Sequence, residues 1–344
     1  MERIVIKTGN HKSDIFIGEK WTDFRRHLPH KDVVIITDDN ILNLYGKSFP
    51  DFPVISITPG ERSKNLEVIN DLAVKLLNLG IDRNGLIVGI GGGVVCDIAG
   101  FLGSVYMRGI SFGFISTSLL SQVDASTGGK NGVNAGIVKN IIGNFRQPEF
   151  VVCDPEMLLT LPEEEYLSGL AELIKNSVIL DVGLFAEIEQ NIDPILKRDI
   201  LLLTKYITRS VNIKASVVRE DEREKGIRRI LNFGHTFGHA IEAQTGLKHG
   251  FAIAAGMIIA ADISVLLGIL QPMERNRIFN LLDSFKLLVN YNINYDQVKE
   301  FILRDKKKSG ETLNFVLLET TGKATVKSIA VTKLLDNFKL LNSR

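Results

Sequence analysis

The sequence predicts an α/β domain built on a parallel sheet, followed by an α-helical domain. Two observations carry this expectation. Over the first 150 or so residues, short apolar runs alternate with amphipathic stretches, the order expected of strand–helix–strand units. After Thr160-Leu161-Pro162 the apolar residues recur at helical spacing almost to residue 305. The boundary is accordingly placed between a domain of residues 1–155 and one of residues 156–344.

The elements follow in order. Val33-Val34-Ile35-Ile36-Thr37 has the continuous apolar character of a strand buried on both faces, as does Leu86-Ile87-Val88-Gly89-Ile90, and Phe52 to Ile57 is a third candidate. Between them, Ser63 to Leu79 carries Leu66, Ile69, Leu72, Leu76 and Leu77 at helical spacing. Parallel units of this kind form a Rossmann-like sheet. In the second half, Pro162 suits a first helical turn, and Glu163, Glu164 and Glu165 favour its positive end. Asp193-Pro194 and Gln271-Pro272 mark breaks. Phe251 to Leu270 imitates a membrane span, but Asp262 sits near its middle and Gly256, Ser264 and Gly268 dilute it. A fully buried helix is the expectation there, since a span takes roughly 18 or more uninterrupted apolar residues.

Composition narrows the function classes. The 344 residues are 45% hydrophobic and 24% charged, so a core forms without staples. With 41 basic and 40 acidic residues the net charge is +1, which gives no footprint for nucleic acid or an anionic membrane as partner. Two cysteines without metal-type spacing, Cys96 and Cys153, and an N-terminus that opens Met1-Glu2-Arg3-Ile4 without an apolar signal core point to a reducing, cytoplasmic setting.

Four motifs carry chemistry. The first is Gly89-Ile90-Gly91-Gly92-Gly93-Val94-Val95-Cys96-Asp97, directly after a strand. Clustered glycines let backbone N–H groups approach a phosphate, and a helix beginning there adds its positive end. The usual GxGxxG fingerprint fails at Val94, so the turn alone also fits a simple tight turn. The second, Asp124-Ala125-Ser126-Thr127-Gly128-Gly129-Lys130 followed by Lys139-Asn140, suits anion binding, with a solvated loop as the plain alternative. The third, Ala171-Glu172-Leu173-Ile174-Lys175, puts a carboxylate and an ammonium at i, i+3 on an otherwise apolar helix; such pairs are usually surface pairs, but this one sits among leucines. The fourth is the strongest: Leu231-Asn232-Phe233-Gly234-His235-Thr236-Phe237-Gly238-His239, then Lys248-His249-Gly250. Two imidazoles at i, i+4 plus a carboxylate from elsewhere make a three-ligand metal site with an open position. Spacing alone selects His235 and His239 as ligands, and leaves His249 as ligand, base or bystander.

Together these motifs resemble the 3-dehydroquinate synthase family of sugar-phosphate cyclases. The matching blocks are Pro59-Gly60-Glu61 with Lys64, GGGVVCDIAGF (91–101), Arg108-Gly109, TSLLSQVDASTGGKNGVN (117–134), KNIIG (139–143), TLP (160–162), GLAELIK (169–175), LNFGHTFGHAIE (231–242), HG (249–250) and DKK (305–307). The resemblance implies an NAD-binding α/β domain, a helical domain, and zinc or cobalt held by Glu172, His235 and His249, with His239 a catalytic residue instead of a ligand. For NAD it implies Asp38, Asn40, Glu61, Lys64, Gly92, Gly93, Asp97, Thr117 and Ser118. Asp124 and Lys175 match polar residues beside the nicotinamide and the reacting hydroxyl.

The implied substrate is 3-deoxy-D-arabino-heptulosonate 7-phosphate. Lys130, Lys139, Asn140, Lys214, Arg228, Asn232 and one of Lys306 or Lys307 match the family's anion-binding positions. Arg108 matches a residue that reaches a neighbouring subunit, which implies a homodimer. The implied chemistry is transient oxidation at carbon 5, elimination of phosphate, return of the hydride, then ring opening and aldol closure. The sequence departs from the family pattern at Glu164, Ala125, Asn131, Val138 and Phe251. Two rivals share much of the pattern: a 2-deoxy-scyllo-inosose or valiolone-type synthase, and a metal-dependent polyol dehydrogenase of the glycerol dehydrogenase type.

Overall fold

A computed structural model describes residues 1–9, 11–28, 32–136, 138–303 and 308–342. It divides into two compact units, Met1–Leu161 with Lys214–Arg223, and Pro162–Ile213 with Glu224–Arg344.

In the first unit the described residues form strands β1 (Glu2–Thr8), β2 (His11–Ile17), β3 (Val33–Asp38), β4 (Val54–Ile57), β5 (Leu86–Gly91), β6 (Ser111–Ser116), β7 (Lys130–Ala135), β8 (Val138–Phe145) and β9 (Phe150–Cys153). Helices α1 (Asp39–Tyr45), α2 (Leu66–Asn78) and α3 (Gly93–Val105) lie among them in sequence. The main sheet runs β1-β2-β9-β6-β5-β3-β4, parallel from β2 to β4 and antiparallel only between β1 and β2. The strands read as buried on both faces are so: every residue of β5 is buried, and β3 is buried up to Asp38. The third strand starts at Val54 because Pro53 before it has no N–H for a ladder, and β4 is an edge. On α2, Ile69, Leu72 and Leu76 face the core, whereas Leu66 and Leu77 are exposed. That helix starts late because Asn65 caps it, accepting from the Val68 amide at 2.9 Å. After β3 the chain moves to β4 on one side, and after β5 to β6 on the other. The carboxyl ends of β3 and β5 therefore form a topological switch point.

The second unit is mainly helical: α4 (Glu163–Leu180), α5 (Val182–Gln190), α6 (Ile192–Leu196), α7 (Ile200–Glu220, up to Ile213), α8 (His235–Thr245), α9 (His249–Leu266), α10 (Pro272–Ser284), α11 (Tyr295–Leu303) and α12 (Val331–Asn342). It also holds a small antiparallel sheet of β10 (Lys308–Ser309), β11 (Thr312–Thr320) and β12 (Lys323–Ala330), which the helical pattern did not include. The membrane-like run is the core helix α9. It is the one helix among the described residues long and apolar enough to cross a membrane, and most of it is buried. Its polar residues have local partners: Asp262 accepts from Arg275 at 2.7 Å, and the Ser264 hydroxyl accepts from the Leu318 amide at 3.1 Å.

Candidate active site

Three helices of the second unit bring the titratable cluster together. Helix α4 carries Glu172 and Lys175, both almost fully buried, as an ion pair one turn apart. Helix α8 opens on His235 directly after Gly234, whose φ of +79° and lack of room beside Met257 require glycine. Helix α9 opens on His249. Its next residue, Gly250, packs so closely on the Ser168 backbone of α4 that a Cβ would overlap it, and its amide donates to the Ser168 hydroxyl at 2.9 Å. Lys248 adds ion pairs to Glu165 at 2.6 Å and Glu164 at 3.2 Å, so the departure at Glu164 supplies a local partner for the α9 start.

The result is a compact donor set. Glu172 Oε1 lies 3.3 Å from His249 Nε2 and 3.7 Å from His235 Nε2. Ligand atoms of Glu172, His235 and His249 all fall within 4.8 Å of one another, and so do those of His239, Glu242 and His249. The three rings are mutual neighbours, with centroids 5.1 to 6.0 Å apart. Burial alone would push the Glu172 carboxyl up, but the Lys175 ammonium and then His249 more than offset this and hold it at about 2. Burial alone would push His249 down, but Glu172 and Glu242 raise it to about 9. Charged cations face Glu172, yet neither of its buried oxygens accepts a hydrogen bond of ordinary geometry. A buried, ionised carboxylate in that state beside two imidazoles fits a divalent cation, as does the N/O donor chemistry.

The same unit carries the other candidates. His239 is one turn after His235 on α8. Arg228 is 1% exposed, and Asn232, half-buried, donates to Glu224 and to the Arg229 carbonyl. Phe251 is half-buried on the first turn of α9. Lys306 and Lys307 lie outside the described residues.

In the first unit the glycine run sits at the switch point. Gly91 ends β5 and α3 starts at Gly93 with no side chain capping it. A Cβ on Gly92 would meet the Ser118 hydroxyl at 3.3 Å, and one on Gly93 the Ala125 methyl at 3.2 Å. Ala125, a departure, thus borders the turn, and its methyl leaves little room for a side chain at Gly93. Asp38 ends β3 and caps the short α1, accepting from the Ile41 amide at 3.0 Å; burial pushes its carboxyl up, partly offset by that bond. Asn40 is exposed on α1. Thr117 and Ser118 follow β6, both buried, and the Thr117 amide donates to Gly91 at 3.0 Å. Lys64, 4% exposed, pairs with Asp97 on α3; burial raises the Asp97 carboxyl and Lys64 works against it. Glu61 accepts from Asn134 at 2.8 Å. A helix N-terminus, a side-chain-free turn and a carboxylate at the end of the adjacent strand fit a dinucleotide.

Asp124 and Lys214, far apart in sequence, come together: the ammonium donates to the Asp124 carboxylate at 2.6 Å and to its carbonyl at 2.7 Å. Their separation of 90 residues leaves no periodic signal in the sequence that would link them. Lys130, Lys139 and Asn140 belong to the β7–β8 hairpin, all exposed. There Asn140 adopts φ +53° and its amide donates to Asn134 at 2.8 Å. Val138, a departure, is exposed at the start of β8, while Asn131 ties the hairpin base to the Gly129 and Arg146 carbonyls. Arg108 is exposed in a left-handed conformation, φ +67°. Glu242, to which the motifs assign no role, follows His239 by three residues and His235 by seven, which places it on their helix face. A hollow of about 700 Å³ is lined by Phe16 and Asp14 of β2, Arg3 of β1 and the first residues of β6 and β9, away from the switch point, and its Arg3 and Asp14 are paired with each other.

Comparison with known proteins gives a concordant picture. A family model described as 3-dehydroquinate synthase N-terminal matches residues 54–168, and one described as 3-dehydroquinate synthase C-terminal matches residues 169–308. The chain is 41% identical over 322 residues to a 3-dehydroquinate synthase of Acidithiobacillus ferrooxidans, covering 89% of this chain and 88% of that one. Among solved structures, 2-deoxy-scyllo-inosose synthase complexed with carbaglucose-6-phosphate, NAD+ and Co2+ superposes with a TM-score of 0.87 at 26% identity, covering 97% and 98% of the two chains. A 2-epi-5-epi-valiolone synthase from Streptomyces hygroscopicus with NAD+ and Zn2+ bound shares the fold, with a TM-score of 0.89 at 22% identity over 98% and 99%.

Proposed function

The chain belongs to the 3-dehydroquinate synthase family, and on that premise we propose how its own residues carry out the reaction. It is a carbon–oxygen lyase that converts 3-deoxy-D-arabino-heptulosonate 7-phosphate to 3-dehydroquinate and phosphate, a step towards chorismate and the aromatic amino acids. The observation that carries the site reading is the buried Glu172 with His235 and His249 around it.

When bound, NAD supplies a reversible hydride acceptor and a divalent zinc or cobalt ion polarises the substrate oxygen. Glu172, His235 and His249 would hold the metal. Gly92, Gly93 and the α3 start receive the dinucleotide phosphates, with Asp38, Asn40, Glu61, Lys64, Asp97, Thr117 and Ser118 around the rest. Lys175 keeps a positive charge beside the reacting hydroxyl, and His239 moves the proton there. Asp124 orients the Lys214 ammonium. Lys214, Lys130, Lys139, Asn140, Arg228, Asn232 and a lysine of 306–307 bind the carboxylate and phosphate of the substrate. The residues spend their binding groups on orientation, because one cyclic substrate must be kept in place through several steps. We read the enzyme as a cytoplasmic homodimer in which Arg108 serves the neighbouring subunit.

The purified chain should release phosphate from the heptulosonate phosphate in the presence of NAD, lose this with a chelator, and accumulate no NADH. Release only from glucose 6-phosphate or sedoheptulose 7-phosphate would assign it to another cyclase, and NADH formed in step with product would make it a polyol dehydrogenase.

A further inference from the structure

His249 differs from His235 in what stands behind its ring. The far nitrogen of His235, Nδ1, meets the Phe233 carbonyl at 3.1 Å, a contact fixed by the backbone two residues upstream. The far nitrogen of His249 meets a side chain instead, the Glu242 carboxylate, at 3.5 Å. That carboxylate is only 10% exposed, and α8 carries it two turns beyond His235. The His249 ring therefore stands between two carboxylates, with Glu172 at Nε2 and Glu242 at Nδ1. His249 is the first residue of α9, preceded by extended backbone at Lys248, so the helix ladder does little to fix its ring.

We propose that Glu242 is a positioning residue for the metal site: it accepts the Nδ1 proton of His249, so that Nε2 is presented to the metal beside Glu172. The physical reason is the tautomer. A neutral imidazole carries one proton, and only a ring protonated at Nδ1 has a lone pair at Nε2. A carboxylate at Nδ1 fixes that tautomer, orients the ring and makes the ligating nitrogen more basic. Without it, either nitrogen can carry the proton and the ring can turn. The second group of donor atoms, His239, Glu242 and His249, shows what is at stake. A His249 ring turned about would offer its ligating nitrogen to His239 and Glu242 instead of Glu172.

The inference rests on Glu172, His235 and His249 being the metal ligands, and the test separates the two. The parent chain, E242Q, E242D, H249A and E242Q/H249A are stripped of metal. Co2+ affinity is then measured by competition with a chelator, together with the visible Co2+ spectrum and the melting temperature of the metal-free protein. E242Q should bind Co2+ roughly 10- to 100-fold more weakly, with an altered spectrum, while the metal-free chain, slightly less stable for the lost contact to His249, still melts cooperatively. E242D, which keeps a carboxylate, should recover part of the loss. In the H249A background E242Q should weaken binding no further, since its effect passes through that ring. Unchanged affinity and spectrum in E242Q, or a further tenfold loss in the double variant, would overturn the role of Glu242 while leaving the ligand set standing. Parent-like binding by H249A would instead overturn the ligand set itself.

Discussion

His239 and His249 have rings whose centroids lie 6.0 Å apart, and each stands within a donor group, yet their surroundings differ. His249 belongs to both groups and touches Glu172; His239 belongs to the group without Glu172. Spacing could not draw that distinction. His235 and His239 at i, i+4 look like the natural pair, and only the placement of α9 beside α4 brings His249 to the buried carboxylate. With His239 assigned to proton transfer, H239A should lower kcat by about 10²- to 10⁴-fold while retaining a full complement of metal. Metal analysis beside steady-state kinetics checks this; an H239A chain purified without metal would move His239 into the ligand set. The Lys214–Asp124 pair was equally illegible, since nothing local links a residue of the short helical segment Ser121–Ala125 to one on a distant helix.

The elements explain why the site sits where it does. Helix starts place the working groups: α3 begins at the glycine turn, α8 at His235 and α9 at His249. The α4–α9 approach depends on Gly250. Replacing glycine by alanine within a helix ordinarily gains roughly 0.8–1 kcal/mol from propensity. Here the added methyl meets the backbone of Ser168, which cannot move aside as a flexible side chain would. Overpacking of about 1–3 kcal/mol should therefore win, and G250A should lower the urea midpoint and weaken metal retention together. A midpoint at or above that of the parent would show that α9 can shift without cost. The buried strands β3 and β5 and helix α2 were legible, because continuous apolar runs and a helical period leave clear signals. The sheet of β10 to β12 was not. Its longest strand, β11, buries four consecutive residues, Phe315 to Leu318, which blurs the alternation that marks a half-buried strand.

On the scale of the molecule, a metal that binds only the folded chain is linked to its stability. Free metal at about 100 times its Kd should stabilise the enzyme by ~2.7 kcal/mol. Chelation should thus lower the melting temperature of the parent and leave H249A nearly unaffected. Equal responses in both chains would mean that the stabilising ion binds elsewhere. The buried character of α9 was legible as that of a core helix, and its Asp262 and Ser264 have partners within its own unit.

Helix α7 leaves the second unit after Ile213 and continues into the first as Lys214–Glu220, where Lys214 meets Asp124. The family models divide the chain at a single point, between residues 168 and 169, but its spatial membership is interleaved. Dissection by one cut is therefore the wrong experiment. A fragment ending at residue 161 would leave Asp124 without its counter-ion, and the remainder would carry ten residues, Lys214–Arg223, that belong to the missing piece. On the ribosome the first unit is therefore completed only after residues 162–213, which carry the first four helices of the second, have been made.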